Sequence, residues 1–77
     1  MAHGEADVTL HIDETLNPAQ LSEAMLTLQA LEGVHSVESS ANRPHLVIVN
    51  YNPEEASSAQ ILKAITSQGY HAELIGI

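Results

Sequence analysis

The chain has 77 residues, enough for one domain and too few for two. With no cysteine it can build neither disulfides nor thiolate clusters, and with no Phe or Trp and two Tyr its core must be aliphatic. Ten Asp and Glu against Arg43 and Lys63 give a formal charge of −8; that balance leaves no basic stripe for nucleic acid and no attraction to an anionic membrane surface.

No apolar run approaches the length of a membrane span. The start, Met1-Ala2-His3-Gly4-Glu5-Ala6-Asp7, lacks the basic residues and apolar stretch of a signal peptide, so a cytoplasmic location is expected. Val8 to Asp13 then alternates, with Val8, Leu10 and Ile12 on one face and Thr9, His11 and Asp13 on the other, which predicts a half-buried strand. Asn17-Pro18 reads as a helix start, Asn as the cap and Pro at the first helical position. Leu21, Ala24, Met25, Leu28 and Leu31 follow on one helical face, and Gly33 is expected to cap the helix.

Val34 to Ser40, carrying Val37, reads as a second strand, and Ala41-Asn42-Arg43-Pro44 as a turn. His45 to Tyr51 is the strongest strand, with Val47, Val49 and Tyr51 on one face and Leu46, Ile48 and Asn50 on the other. Aliphatics on both faces predict a central strand or a covered open face. After Asn52-Pro53, a helix from Ser57 or Ser58 to Gln68 buries Ile61, Leu62, Ala64 and Ile65, and Gly69 caps it. Tyr70 to Ile77 closes the chain as a strand with Ala72 and Leu74 inward. The order β-α-β-β-α-β predicts an α+β, ferredoxin-like sandwich: two helices on one face of a four-stranded antiparallel sheet, in a single domain. In it the first strand lies between the third and the last.

Three segments in this order carry a resemblance. Leu31-Glu32-Gly33-Val34-His35-Ser36-Val37-Glu38 resembles "L-E-G-V-x-S-V-x"; Val47-Ile48-Val49-Asn50-Tyr51-Asn52-Pro53 resembles "V-x-V-x-Y-D-P". Gln60-Ile61-Leu62-Lys63-Ala64-Ile65 with Gly69-Tyr70-His71-Ala72-Glu73 resembles "Q-I-x-x-A-I … G-Y-x-A-x". Together they resemble the heavy-metal-associated, metallochaperone-like family from about Val8 to Leu74. That family's metal loop, "G-M-T-C-x-x-C", falls by this resemblance on Glu14-Thr15-Leu16-Asn17-Pro18-Ala19-Gln20. Asn17 and Gln20 stand where the two cysteines would be. A neutral amide replaces a thiolate neither for Cu(I) nor for zinc, so thiolate transfer of Cu(I) does not carry over.

Five histidines offer another donor set. In the natural antiparallel register of first and last strands, Asp13 lies opposite His71 and His11 opposite Glu73. Gathered on the open sheet face, His11, Asp13, His71 and Glu73 would suit Zn, Ni or Cu(II). The other reading of the same residues is two cross-strand His–carboxylate pairs on a solvated face. Met1-Ala2-His3 could bind Cu(II) or Ni(II) through amine, amides and imidazole, and is read as an accident of sequence. His35 and His45 are expected to be exposed rather than ligating.

Leu46, Ile48 and Ile75 share the open face and form a candidate interface for a protein partner or a homodimer, or else ordinary exposed aliphatics. No nucleophile–base set or glycine-rich phosphate loop is present, and the Arg on which acylphosphatases of this topology depend is missing from the loop after the first strand; an enzyme is not expected. Two functions stay open. One is an accessory or docking module in metal handling, any metal being bound through His and carboxylate. The other is a metal-free interaction or homodimerisation module using the open sheet face.

Overall fold

The computed structural model describes residues 5–40 and 42–75. Six elements follow in the expected order: β1 (Ala6–Ile12), α1 (Pro18–Gln29), β2 (Val34–Ser40), β3 (Arg43–Tyr51), α2 (Ser58–Thr66) and β4 (Ala72–Ile75). The strands make one antiparallel sheet in the order β2-β3-β1-β4, so the topology is the ferredoxin-like one. β3 is an inner strand as expected, but its second aliphatic face stays open, with Ile48 exposed and Leu46 half-buried.

The period-2 pattern of β1 is realised as written. Val8, Leu10 and Ile12 are buried under the helices, while Thr9 and His11 turn to the other face. Val47, Val49 and Tyr51 of β3 and Val37 of β2 join them. From the helices come Ala24 and Leu28 of α1, which lies over β2, and Ile61 and Ile65 of α2, which lies over β4. Among the described residues no polar or charged side chain is buried. Each fully buried Leu or Ile contributes roughly 1.5–3 kcal/mol through removal from water, so few residues have to suffice.

Both helices begin in a reciprocal cap. The Asn17 side chain accepts from the Gln20 N–H at 2.8 Å, and Gln20 Oε1 accepts from the Asn17 N–H at 3.0 Å. Ser57 and Gln60 repeat the pattern at 3.1 and 2.9 Å. Such a box satisfies two of the orphan donors of a helix start and is worth about 1 kcal/mol.

The helix ends fall earlier than expected. α1 stops at Gln29 with Ala30 as its cap, and the Leu31 N–H bonds Leu28 O in a tighter turn at 3.1 Å. Gly33, at φ +93°, serves a different purpose three residues on. Its carbonyl accepts the Asn52 N–H at 2.7 Å, and a Cβ there would lie 2.8 Å from that of Glu55. It therefore marks a close approach between the start of β2 and the turn after β3. α2 likewise stops at Thr66, and Gly69, at φ +98°, completes the turn beyond it. β4 starts at Ala72, two residues later than expected, and residues 76–77 lie outside the described part. Among the described residues no helix is long and apolar enough to cross a membrane.

The two glycines should respond differently to the same substitution. Gly69→Ala meets nothing within 4 Å and should cost only the left-handed backbone penalty, about 1–2 kcal/mol. Gly33→Ala adds a backbone-adjacent clash and should cost more. Urea unfolding of both variants checks the order; equal losses would show that the close approach relaxes freely.

Candidate functional site

The segment from Asp13 to Asn17 joins β1 to α1, and at its end stand the two positions where cysteines would be expected. Neither amide is available as a ligand: Asn17 Oδ1 and Gln20 Oε1 both accept loop and helix N–H groups. The donor set does not fit Cu(I). Chemically, the loop is a helix cap.

The histidines lie around the same end of the sheet. The Asp13 N–H donates to His71 O at 2.7 Å, and His11 stands opposite Glu73. Both pairings follow the natural antiparallel register, yet the four side chains His11, Asp13, His71 and Glu73 do not converge. Glu14 captures His71 instead: its carboxylate accepts the His71 N–H at 2.8 and 3.1 Å and the His71 Nδ1–H at 2.6 Å. Asp13 turns back along its own strand, its Oδ1 3.3 Å from His11 Nδ1. That nitrogen is shielded from water and makes no hydrogen bond, because the approach is close but poorly aligned. Glu73 is exposed on the edge strand. Among the described residues no three His, Cys, Asp or Glu side chains form a group able to hold a metal ion. Met1-Ala2-His3 lies outside the described residues.

His45 departs from expectation. It is half-buried, its Nδ1–H donates to Ile12 O at 2.9 Å, and its ring stacks on His11 with centroids 5.9 Å apart. Register could have found it, since Leu46 pairs with His11 and so places His45 beside Ile12. Glu14 was also legible in principle, as the residue that follows Asp13 past the last β1–β4 pair. His35 is exposed, as expected.

On the open face, Thr9 faces Ile48 on one side and Ile75 on the other. Ile48 is 45% and Ile75 36% exposed, whereas Leu46 is half-buried. Glu38 stands opposite Ile48 and, with Arg43 and Leu46, borders a shallow depression of about 280 Å³.

Comparison with known proteins now gives the fold its place. No family model matches the sequence, and no curated protein does. Solved structures do match. Oxidised MerP from Ralstonia metallidurans CH34 superposes with a TM-score of 0.84 at 19% identity, covering 95% of this chain and 100% of MerP. The N-terminal domain of a potential copper-translocating P-type ATPase from Bacillus subtilis, solved with Cu(I), gives 0.83 at 27%, covering 95% of this chain and 90% of that one. The CopZ metallochaperone gives 0.80 at 22%, covering 88% and 100%. The chain is thus a heavy-metal-associated-like domain in fold, degenerate in lacking the Cys-x-x-Cys pair.

The Glu14–His71 contact makes a pH-dependent brace between the β1–α1 loop and the entry to β4. Hydrogen bonds from His71 hold the Glu14 carboxyl below its ordinary value of 4.5; the hydrogen bond to Glu14, then its charge, raise His71 above 6.5. The Glu14 contribution is present above 4.5 and lost as pH falls through its lowered pKa. The His71 contribution is complete below 6.5 and lost as pH rises through its raised pKa. The brace should therefore be strongest between these values. In an NMR titration, Glu14→Gln should move the His71 midpoint down toward 6.5; an unchanged midpoint would show that the pair does not form in solution.

Proposed function

We propose that this heavy-metal-associated-like domain acts in metal handling as an accessory or docking module that does not itself transfer Cu(I) through thiolates. The observation that carries the reading is the reciprocal cap at Asn17 and Gln20, set in a fold shared with solved copper-binding domains. The scaffold is kept while the two ligand positions are occupied by helix-capping amides. Fold alone supports a function only by analogy, so the weight falls on what this chain's own residues can do.

Any metal taken up falls to the imidazole–carboxylate end of the sheet, at His11, Asp13, His71 and Glu73. Zn, Ni and Cu(II) suit such donors. These side chains would have to leave their present partners to converge, so binding should be weak and coupled to movement of Glu14 away from His71. A second reading, metal-free association through the open face, is favoured by the exposure of Ile48 and Ile75.

An NMR titration of the protein with Zn(II), Ni(II) and Cu(II) separates the two. Saturable imidazole and amide shifts confined to His11, Asp13, His71 and Glu73, abolished in a His11→Ala/His71→Ala double variant, are expected if metal is bound there. A double variant that binds as well as the parent would remove this ligand assignment. Ile48→Asp should leave the fold intact, within about 0.5 kcal/mol by urea unfolding, because its side chain faces solvent.

A further inference from the structure

The docking partner of the open sheet face can be specified by its chemistry. We infer that this face is built for a basic protein surface, an apolar centre rimmed by Lys and Arg, and not for a second copy of this chain. The inference rests on the docking reading above and adds the charge of the occupant.

Three rows cross the face. Glu38, Ile48, Thr9 and Ile75 form the central one, from β2 through β3 and β1 to β4. Leu46, His11 and Glu73 lie on one side of it; Ser36, Asn50 and Asp7 lie on the other. The exposed aliphatics Ile48 and Ile75 are therefore separated only by the small Thr9. Exposed carboxylates surround this strip: Glu38 at the β2 end, Glu73 at the β4 edge, and Asp7 beside them, held by Asn50 Nδ2 at 2.7 Å. Arg43, in the depression with Glu38, is the cation that borders the strip. An apolar centre with a charged rim is the anatomy of a protein interface, and the sign of the rim sets the sign of the partner.

A second copy fits this surface poorly. It would bring Glu38, Glu73 and Asp7 against the same three carboxylates, between chains each carrying −8. Like charges across an interface are a penalty that keeps wrong partners apart. Area points the same way. A stable interface takes roughly 800 Å² per partner, a large share of the 4789 Å² of this surface, and two exposed isoleucines flanking Thr9 supply only its centre. Affinity must then draw on the rim, which works only with opposite charge.

The test uses the full chain, labelled with ¹⁵N, and three synthetic strand peptides with identical Leu and Ile at alternate positions. The intervening positions are Lys in one peptide, Ser in the second and Glu in the third. The Lys peptide should shift amides of Glu38, Ile48, Thr9 and Ile75, bind at least tenfold more tightly than the Ser peptide, and weaken as salt is raised. Ile48→Asp should abolish those shifts, and Glu38→Lys/Glu73→Lys should reverse the preference toward the Glu peptide. Equal binding of all three peptides would overturn the charge assignment and leave the docking face standing. Shifts of the Lys peptide confined to α1, or no shift with any peptide, would overturn both. Concentration-dependent shifts of the same rows in the protein alone, with a dimer by light scattering, would replace the basic partner with a second copy.

Discussion

The pairing of β1 with β3 is the contact on which everything else in this molecule rests. Six residue pairs run from Ala6 with Tyr51 to His11 with Leu46, and the two strands supply most of the sheet's share of the core. Without Phe or Trp, no single side chain is large enough to organise the interior. Branched aliphatics in register have to do so together, Val8 beside Val49 and Leu10 beside Val47. A slip of β1 by one residue against β3 would turn Val8, Leu10 and Ile12 to water and bring Thr9 and His11 under the helices. The alternation in both strands therefore specifies the fold twice over. It also places the histidines and carboxylates, since the end of this pair is where His11, His45, Asp13 and Glu14 gather.

Around that centre, the connecting segments are tied down by local hydrogen bonds more than by packing. The Gly33 carbonyl meets Asn52, whose own carbonyl accepts from Glu55 and Ala56 and whose side chain accepts the Glu54 N–H. Two of the sequence segments that resemble the metallochaperones thus touch in space, one through Gly33 and the other through its closing Asn-Pro turn. Backbone geometry accounts for this contact without any metal. The same holds for the β1–α1 loop, where Asn17, Gln20 and Glu14 each spend their acceptors on the chain itself.

The fold was legible in the sequence because β1, β3 and α2 carry unambiguous periodicity and because Asn17-Pro18 and Ser57 start their helices with the expected chemistry. The helix ends were not. Gly33 looks like a cap from its spacing, yet its conformation answers to Glu55 and Ala56, residues more than twenty positions away. The site was half legible for a related reason. Parity and register correctly placed His11 opposite Glu73, but they say nothing about which neighbour a flexible side chain prefers. Glu14 wins His71 because it offers both carboxylate oxygens to the backbone N–H and the ring together. His45 escaped notice because the strand was expected to begin there; β3 starts two residues earlier, at Arg43, so His45 has the parity of Val47 and Val49 and lies beside Ile12, whose carbonyl its ring reaches.

The reciprocal cap at the head of α1 also separates this loop from a two-thiolate one by less stable intermediates. Exchanging Asn17 alone for cysteine would remove the side-chain acceptor for Gln20 N–H, and exchanging Gln20 alone would leave Asn17 N–H without its partner. Each single step sacrifices about 1 kcal/mol of helix-start stability, and one thiolate by itself makes no chelate to offset the loss. Only the simultaneous pair crosses to a two-thiolate loop. Any stepwise path from this loop to a two-thiolate one therefore runs through singly substituted chains whose α1 starts less well than this one does.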